Sequence, residues 1–178
     1  QRAGVAELYR WQDGQLAREP EASMSAGAQQ VKRIISGNLT YNVPAVFVAS
    51  VYDTDSIVTD VFAFHGGVFQ NVSAAAVGQS VQTVRNYFVY AADIDHDGLI
   101  ELPQPVTLAA NETGGENDSV IQWYNLTLSG MRQFKLTTYH SFSGGWYVEI
   151  PQSWEEEIIV ARSEEVSGVR GLVFSRWN

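Results

Sequence analysis

Apolar residues along this chain recur with a period of two or run continuously over short stretches. The three-to-four spacing of an amphipathic helix is scarce, and β-branched and aromatic residues dominate the apolar segments, so strands are predicted throughout. Residues 6–11 and 15–18 flank Gln12-Asp13-Gly14, which predicts a tight hairpin. Residues 45–51 are almost wholly apolar, as in a strand covered on both faces. Residues 60–64 and 68–72 flank His65-Gly66-Gly67, a second hairpin, and residues 120–128 and 131–139 flank Ser129-Gly130, a third. Shorter strands are predicted at 31–35, 146–150, 158–161 and 171–177, and a long one at 81–92. Residues 19–29, 73–80 and 111–118 are small and polar and read as loops. Residues 151–157 read as one helical turn, with Pro151 near its start and acids following. The pattern predicts a single all-β domain over residues 1–178, predominantly antiparallel and built from hairpin repeats.

The chain is 45% hydrophobic and 12% aromatic, enough for a buried core and against disorder. Its formal net charge is −9, with 11 basic residues scattered rather than clustered. That argues against nucleic-acid partners, which need grouped Lys and Arg, and against an anionic membrane surface. No apolar run approaches the roughly 20 residues of a membrane-spanning helix, so no membrane insertion by this segment is expected. With no cysteine there is no disulfide, thiol nucleophile or Cys-based zinc site. The first residue is Gln1, and the last residues, Phe174-Ser175-Arg176-Trp177-Asn178, have a strand-like texture. The expectation is a piece of a longer exported protein whose signal or lipid anchor lies upstream.

The sharpest chemical signal is Asp93-Ile94-Asp95-His96-Asp97-Gly98-Leu99-Ile100-Glu101. Calcium takes six to eight oxygens at about 2.3–2.6 Å, so several short acids must converge from one turn. Gly98 permits the sharp bend this requires. Asp93, Asp95, Asp97 and Glu101 are the expected side-chain ligands of Ca2+, with the Leu99 carbonyl as a further one. His96 is expected to face solvent, because hard cations prefer oxygen. No Lys or Arg occurs between Asn86 and Met131, so any cation that neutralises the loop must come from far along the chain. A solvated Asp-rich turn is the plainer alternative, since Asp and Gly favour turns in any case. An EF-hand would close with Glu at position twelve, which here is Gln104.

Acids at positions one, three, five and nine of a short loop resemble the calcium loops of FG-GAP and VCBS-type β-propeller repeats. In those repeats the loop joins two strands of a blade. Here the apolar run Tyr87-Phe88-Val89-Tyr90-Ala91-Ala92 leads in, and Leu102-Pro103 leads out. Residues 6–16 are similar to a closing blade hairpin. The stretch from Tyr139 to Pro151, with Ser143-Gly144-Gly145-Trp146-Tyr147 at its centre, resembles uncharacterised envelope lipoproteins of Gram-positive gut bacteria. The resemblance implies a propeller-like all-β fold, possession of a calcium site, and an extracellular or envelope location. A second acidic turn, Asp53-Thr54-Asp55, starts 40 residues before Asp93, about one blade length, but lacks the glycine and closing acid.

Catalytic signatures are absent from the sequence. No Gly-x-Ser-x-Gly elbow or phosphate-binding loop occurs, and His65 and His140 read as polar surface residues. Glu149 and the run Glu155-Glu156-Glu157 are the acids outside the loop that a glycosidase pair would draw on. Alternation puts Trp146 and Val148 on one face of their strand, and Tyr147 and Glu149 on the other. Trp11, Trp123 and Trp177 lie inside strand-like segments and are expected in the core. Trp146 and Trp154, near loops and acids, are the surface candidates. The expected function is a non-enzymatic, calcium-stabilised module that binds a protein or glycan. The alternative is a carbohydrate-active enzyme or its sugar-binding accessory domain, using Trp146, Tyr147, Glu149 and Trp154. Sequons occur at Asn38, Asn71, Asn111, Asn117 and Asn125, and a bacterial setting makes their glycosylation a minor expectation.

Overall fold

The computed structural model describes residues 4–75, 80–86, 89–108, 119–141, 144–154, 157–166 and 169–176. The chain opens with β1 (Val5–Ala6), the hairpin of β2 (Tyr9–Gln12) and β3 (Gln15–Arg18), and β4 (Ala22–Ser23), which returns to pair with β1. Next come β5 (Ala28–Thr40), β6 (Val43–Tyr52), β7 (Ser56–His65) and β8 (Val68–Asn71), an antiparallel sheet in that order. A second four-stranded sheet has the order β12-β11-β10-β9, from β9 (Leu102–Thr107), β10 (Ser119–Leu126), β11 (Arg132–Ser141) and β12 (Trp146–Ile150). The hairpin of β13 (Ile158–Val166) and β14 (Val169–Arg176) follows. Among the described residues the only helical pieces are 3-10 turns at Val72–Ala74, Ser80–Thr83 and Gln152–Trp154. No helix among them is long and apolar enough to cross a membrane. The all-β, antiparallel reading holds. The described strands form open sheets and not a closed propeller.

The turn chemistry is where the sequence places it. Asp13 and Gly14 both have positive φ (52° and 79°), as do Gly66 and Gly67 (60° and 81°). Two successive positive φ values give the two-residue turn whose twist matches the strands it joins. At the third hairpin Gly130 (φ 78°) donates its N–H to the Thr127 carbonyl at 2.9 Å. Asp53-Thr54-Asp55 turns out to be the connection between β6 and β7, with Asp53 at φ 57°.

The chain divides into two compact units, Gln1–Gln104 with Tyr124–Lys135, and Pro105–Trp123 with Leu136–Asn178. In the first unit β7 is buried on both faces, and the apolar run of β6 is so from Phe47 to Ser50, although Val46 is exposed. Ala45, Phe47, Val61 and Ala63 join Leu39, Ala91, Leu102 and Leu126 in the larger core. Val48 and Phe62, on the opposite face, pack with Ala22, Met24 and Phe69. In the second unit Val120, Tyr139, Ile150, Ile158 and Val160 form the core.

Asp60 on β7 is fully buried and is satisfied by neutral donors. Its carboxylate accepts from the Ser25 N–H (3.0 Å) and hydroxyl (2.7 Å), the Asn71 amide (2.7 Å) and the Ser80 hydroxyl (2.7 Å). Each donor lies on a different segment, so one carboxylate ties three of them to β7. A buried charge is tolerable when its lone pairs are filled in this way.

Three expectations change. The predicted strand at 31–35 is part of a 13-residue strand, β5, whose outward residues Val31 and Ile34 are exposed. Among the described residues of 81–92 the predicted strand does not form. Ser80–Thr83 is a 3-10 turn, and the Arg85 guanidinium donates back to the Val89 carbonyl at 2.7 Å and the Thr83 carbonyl at 2.9 Å. Among the described residues of the run only isolated bridges form, at Arg85 and Ala92. Tyr87 and Phe88 of that run lie outside the described residues. Trp11 is not in the core: it is 73% exposed. Trp123 is in the core at 1%, and Trp177 lies outside the described residues.

Candidate metal centre

The acidic loop of the first unit is closed at its base by backbone pairing. The Ala92 N–H donates to the Glu101 carbonyl at 3.1 Å, and the Glu101 N–H to the Ala92 carbonyl at 2.9 Å. The turn within uses positive φ at His96 (62°) and Gly98 (87°), and His96 is exposed, as expected. Short acids then cap the loop's own amides. Asp93 Oδ2 accepts from the Gly98 N–H (3.1 Å), Asp95 Oδ1 from Asp97 (3.3 Å) and Asp97 Oδ1 from Leu99 (2.8 Å). The Asx geometry curls the chain so that its carboxylates face one another.

One carboxylate oxygen each from Asp93, Asp95 and Glu101 lies within 4.8 Å of the others. Glu101 is fully buried and held at both oxygens, by the Ile94 N–H at 3.0 Å and the Asn125 amide at 2.6 Å. Asp93 Oδ1 is buried and has no hydrogen-bond partner. An orphaned acceptor on a residue of an all-oxygen cluster is what a hard cation satisfies. Asp97, the third expected ligand, points its second oxygen at Lys135. That ammonium pairs with Asp97 and lies 3.1 Å from Asp95 Oδ2. Leu99 makes a parallel bridge with Asn38 of β5; the Ile100 N–H donates to the Asn38 carbonyl at 2.9 Å, and the Asn38 amide to the Gly98 carbonyl at 3.3 Å. Gly37 lets this approach happen, since a Cβ there would sit 2.4 Å from Ile100 Cγ1.

The electrostatics follow the contacts. The Lys135 ammonium, helped by the Leu99 N–H, holds the Asp97 carboxyl below its ordinary range. The same pairing raises Lys135 above its own. Burial raises Glu101, although its two donors oppose the shift, and the charges of Asp95 and Asp97 add to it.

Sequence reasoning finds every acid of this loop but none of Asn38, Asn125 and Lys135, which shape it. They lie 24 to 60 residues from their partners and carry no local signal. Asn38, Asn71 and Asn125 are also sequon asparagines whose amides are hydrogen-bonded, that of Asn38 on the surface. Asn111 and Asn117 lie outside the described residues.

The second unit holds the other candidate residues. Register pairs His140 with Tyr147 and Thr138 with Glu149, so these four share one face of the β11–β12 pair. Trp146 lies on the opposite face beside Tyr139, with ring centroids 6.3 Å apart. Trp146 and Tyr147 are both about half exposed, whereas Trp154 packs against the core. Trp146, Tyr147, Glu149 and Trp154 are thus split between two faces and the core, not gathered in one patch. Glu155 and Glu156 lie outside the described residues. His140 is more than a surface residue: its Nε2 is 2.8 Å from the buried Thr138 hydroxyl, and its ring stacks on Tyr147 at 5.2 Å. That hydroxyl also accepts from the Trp123 indole at 2.7 Å. Burial lowers the His140 pKa. No protein-family model, curated protein or solved structure matches the chain.

Proposed function

We propose that this protein is a non-catalytic module of an exported or envelope-attached protein, stabilised by Ca2+ and binding a protein or glycan partner. The observation that carries the calcium reading is the closeness of one carboxylate oxygen each from Asp93, Asp95 and Glu101, together with a buried, unpartnered oxygen on Asp93. Asp93, Asp95 and Glu101 would hold the ion, Asp97 would join them on release from Lys135, and the Leu99 carbonyl is the remaining expected ligand. The ion would supply charge neutralisation to a loop whose stem and flank are already built by Ala92, Glu101 and Asn38. A site of moderate affinity suits the calcium-rich extracellular setting. The propeller-like reading, in which each four-stranded sheet corresponds to a blade of a larger repeat array, belongs to the same proposal.

Thermal melts in EDTA, in millimolar calcium and in millimolar magnesium test it. A ligand that binds only the folded state raises stability in proportion to the logarithm of its excess over Kd. We expect a calcium-selective rise that is abolished in Asp95→Ala. Identical melts in all three buffers would remove the calcium reading.

A further inference from the structure

We propose that the first unit holds a buried site for a single chloride ion, between the Arg85 guanidinium and a small cavity on one face of β5, β6 and β7. Arg85 is only 4% exposed. Its Nε donates to the Val89 carbonyl at 2.7 Å, and its Nη1 to the Thr59 hydroxyl at 3.0 Å and the Thr83 carbonyl at 2.9 Å. All three acceptors are neutral. Nη2 is buried and has no hydrogen-bond partner. Among the described residues no carboxylate pairs with this guanidinium, and its electrostatic neighbours are the phenols of Tyr90 and Tyr124. Burial lowers its pKa only to about 10, so it is charged at neutral pH. A buried charge that meets neither solvent nor an opposite charge is strongly unfavourable, and an anion removes that penalty. An unfilled buried donor points the same way, to a small acceptor held beside it.

The cavity decides which anion fits. Arg33, Ala49 and Thr59 are register partners across β5, β6 and β7, and Ile35 pairs with Phe47 two residues along on the same face. With Tyr90 they line a cavity of about 10 Å³. That is room for one sphere the size of a water molecule, so phosphate, sulfate and carboxylate ligands are excluded by size. Thr59 belongs to both halves of the site: its hydroxyl accepts from Arg85, and it lines the cavity. Tyr90 does too. It follows Val89, which Arg85 holds, and the Arg33 guanidinium lies 5.3 Å from the centre of its ring. The rest of the lining is apolar, and attraction between an anion and the two guanidinium groups is stronger in such low-dielectric surroundings than in water. A water molecule would fill the hydrogen-bonding gap at Nη2 and leave the charge uncompensated, whereas a chloride ion does both. The site is independent of the calcium loop and of any partner.

The test is thermal melting of the whole chain in EDTA, so that calcium takes no part, with chloride replaced stepwise by gluconate at constant ionic strength. Gluconate is too large for the cavity, and screening of the net charge of −9 is the same in every mixture. Chloride at about ten times its Kd should raise the melting temperature by about 3–6 °C, and bromide should substitute for it. The rise should vanish in Arg85→Met and shrink in Arg33→Gln, whose exposed position leaves the fold intact. Crystals grown in sodium bromide give the position. An anomalous peak within hydrogen-bond distance of Nη2 is expected, and it decides the matter if Arg85→Met does not fold. Equal melts in chloride and gluconate would overturn the site, as would a chloride response that both variants keep. So would an ordered water at Nη2 with no bromide peak beside it. A calcium-dependent melt of the same protein would leave the calcium reading standing in each case.

Discussion

Replacing Lys135 by methionine should tighten calcium binding and weaken the calcium-free protein. In the structure the Lys135 ammonium neutralises Asp95 and Asp97, two of the carboxylates that calcium would use. Calcium must therefore either bind beside this ammonium or displace it. Two unit charges 4 Å apart repel by about 1 kcal/mol in a water-like medium, so a divalent ion beside Lys135 faces about 2 kcal/mol. If Lys135 swings away instead, the penalty is the lost ion pairing, up to about 1 kcal/mol for a partly exposed pair. The easier route sets the penalty, so its removal should improve calcium affinity by up to about fivefold, taking 1.4 kcal/mol as tenfold. Methionine keeps most of the aliphatic stem, so packing changes little. The assay is a calcium titration followed by melting temperature, with Lys135→Arg as the charge-preserving control. In EDTA the Lys135→Met protein should melt lower, because three clustered acids and Glu101 lose their only described cation. Equal or weaker calcium affinity in Lys135→Met, with wild type binding normally, would refute the reasoning.

Three further outcomes are expected. Asp60→Ala should lower the urea-unfolding free energy by at least about 3 kcal/mol, because it strands donors from Ser25, Asn71 and Ser80 inside the first unit; a loss under 1 kcal/mol would contradict the network. Gly37→Ala should lower both stability and calcium affinity, because the new methyl meets Ile100 at the edge of the acidic loop; wild-type behaviour in both would show that the contact relaxes freely. His140 should make stability fall in mild acid. Its folded pKa lies below the ordinary 6.5, so the unfolded chain binds the proton first. The stability this contributes is full above pH 6.5 and is lost as pH falls through the lowered folded value. Urea midpoints between pH 7.5 and 5 should show a shallower slope in His140→Gln than in wild type.

Much of the strand order is legible because it is written locally. Asp13-Gly14, Gly66-Gly67 and Gly130 mark their hairpins through backbone conformations that few other residues adopt. Residues 45–51 announce a doubly covered strand because no polar residue interrupts them until Ser50. The acids of the 93–101 loop are legible for the same reason: their spacing and Gly98 act within nine residues. The segment at 81–92 misleads because its strand-forming residues are outweighed by one side chain. Arg85 turns inward to neutral oxygens of Thr59, Thr83 and Val89, and burial lowers its pKa to about 10.

By itself the sequence determined the secondary structure class, the principal turns and which acids lie together in the loop. The tertiary structure decided which cation and amide meet those acids, since Lys135, Asn125 and Asn38 arrive from other strands. It also decided which tryptophans are covered. Trp11 and Trp123 both lie within strands, yet one is 73% exposed and the other 1%. A period of two states which side chains share a face; whether another layer packs onto that face depends on contacts distant in sequence, and no local pattern encodes them.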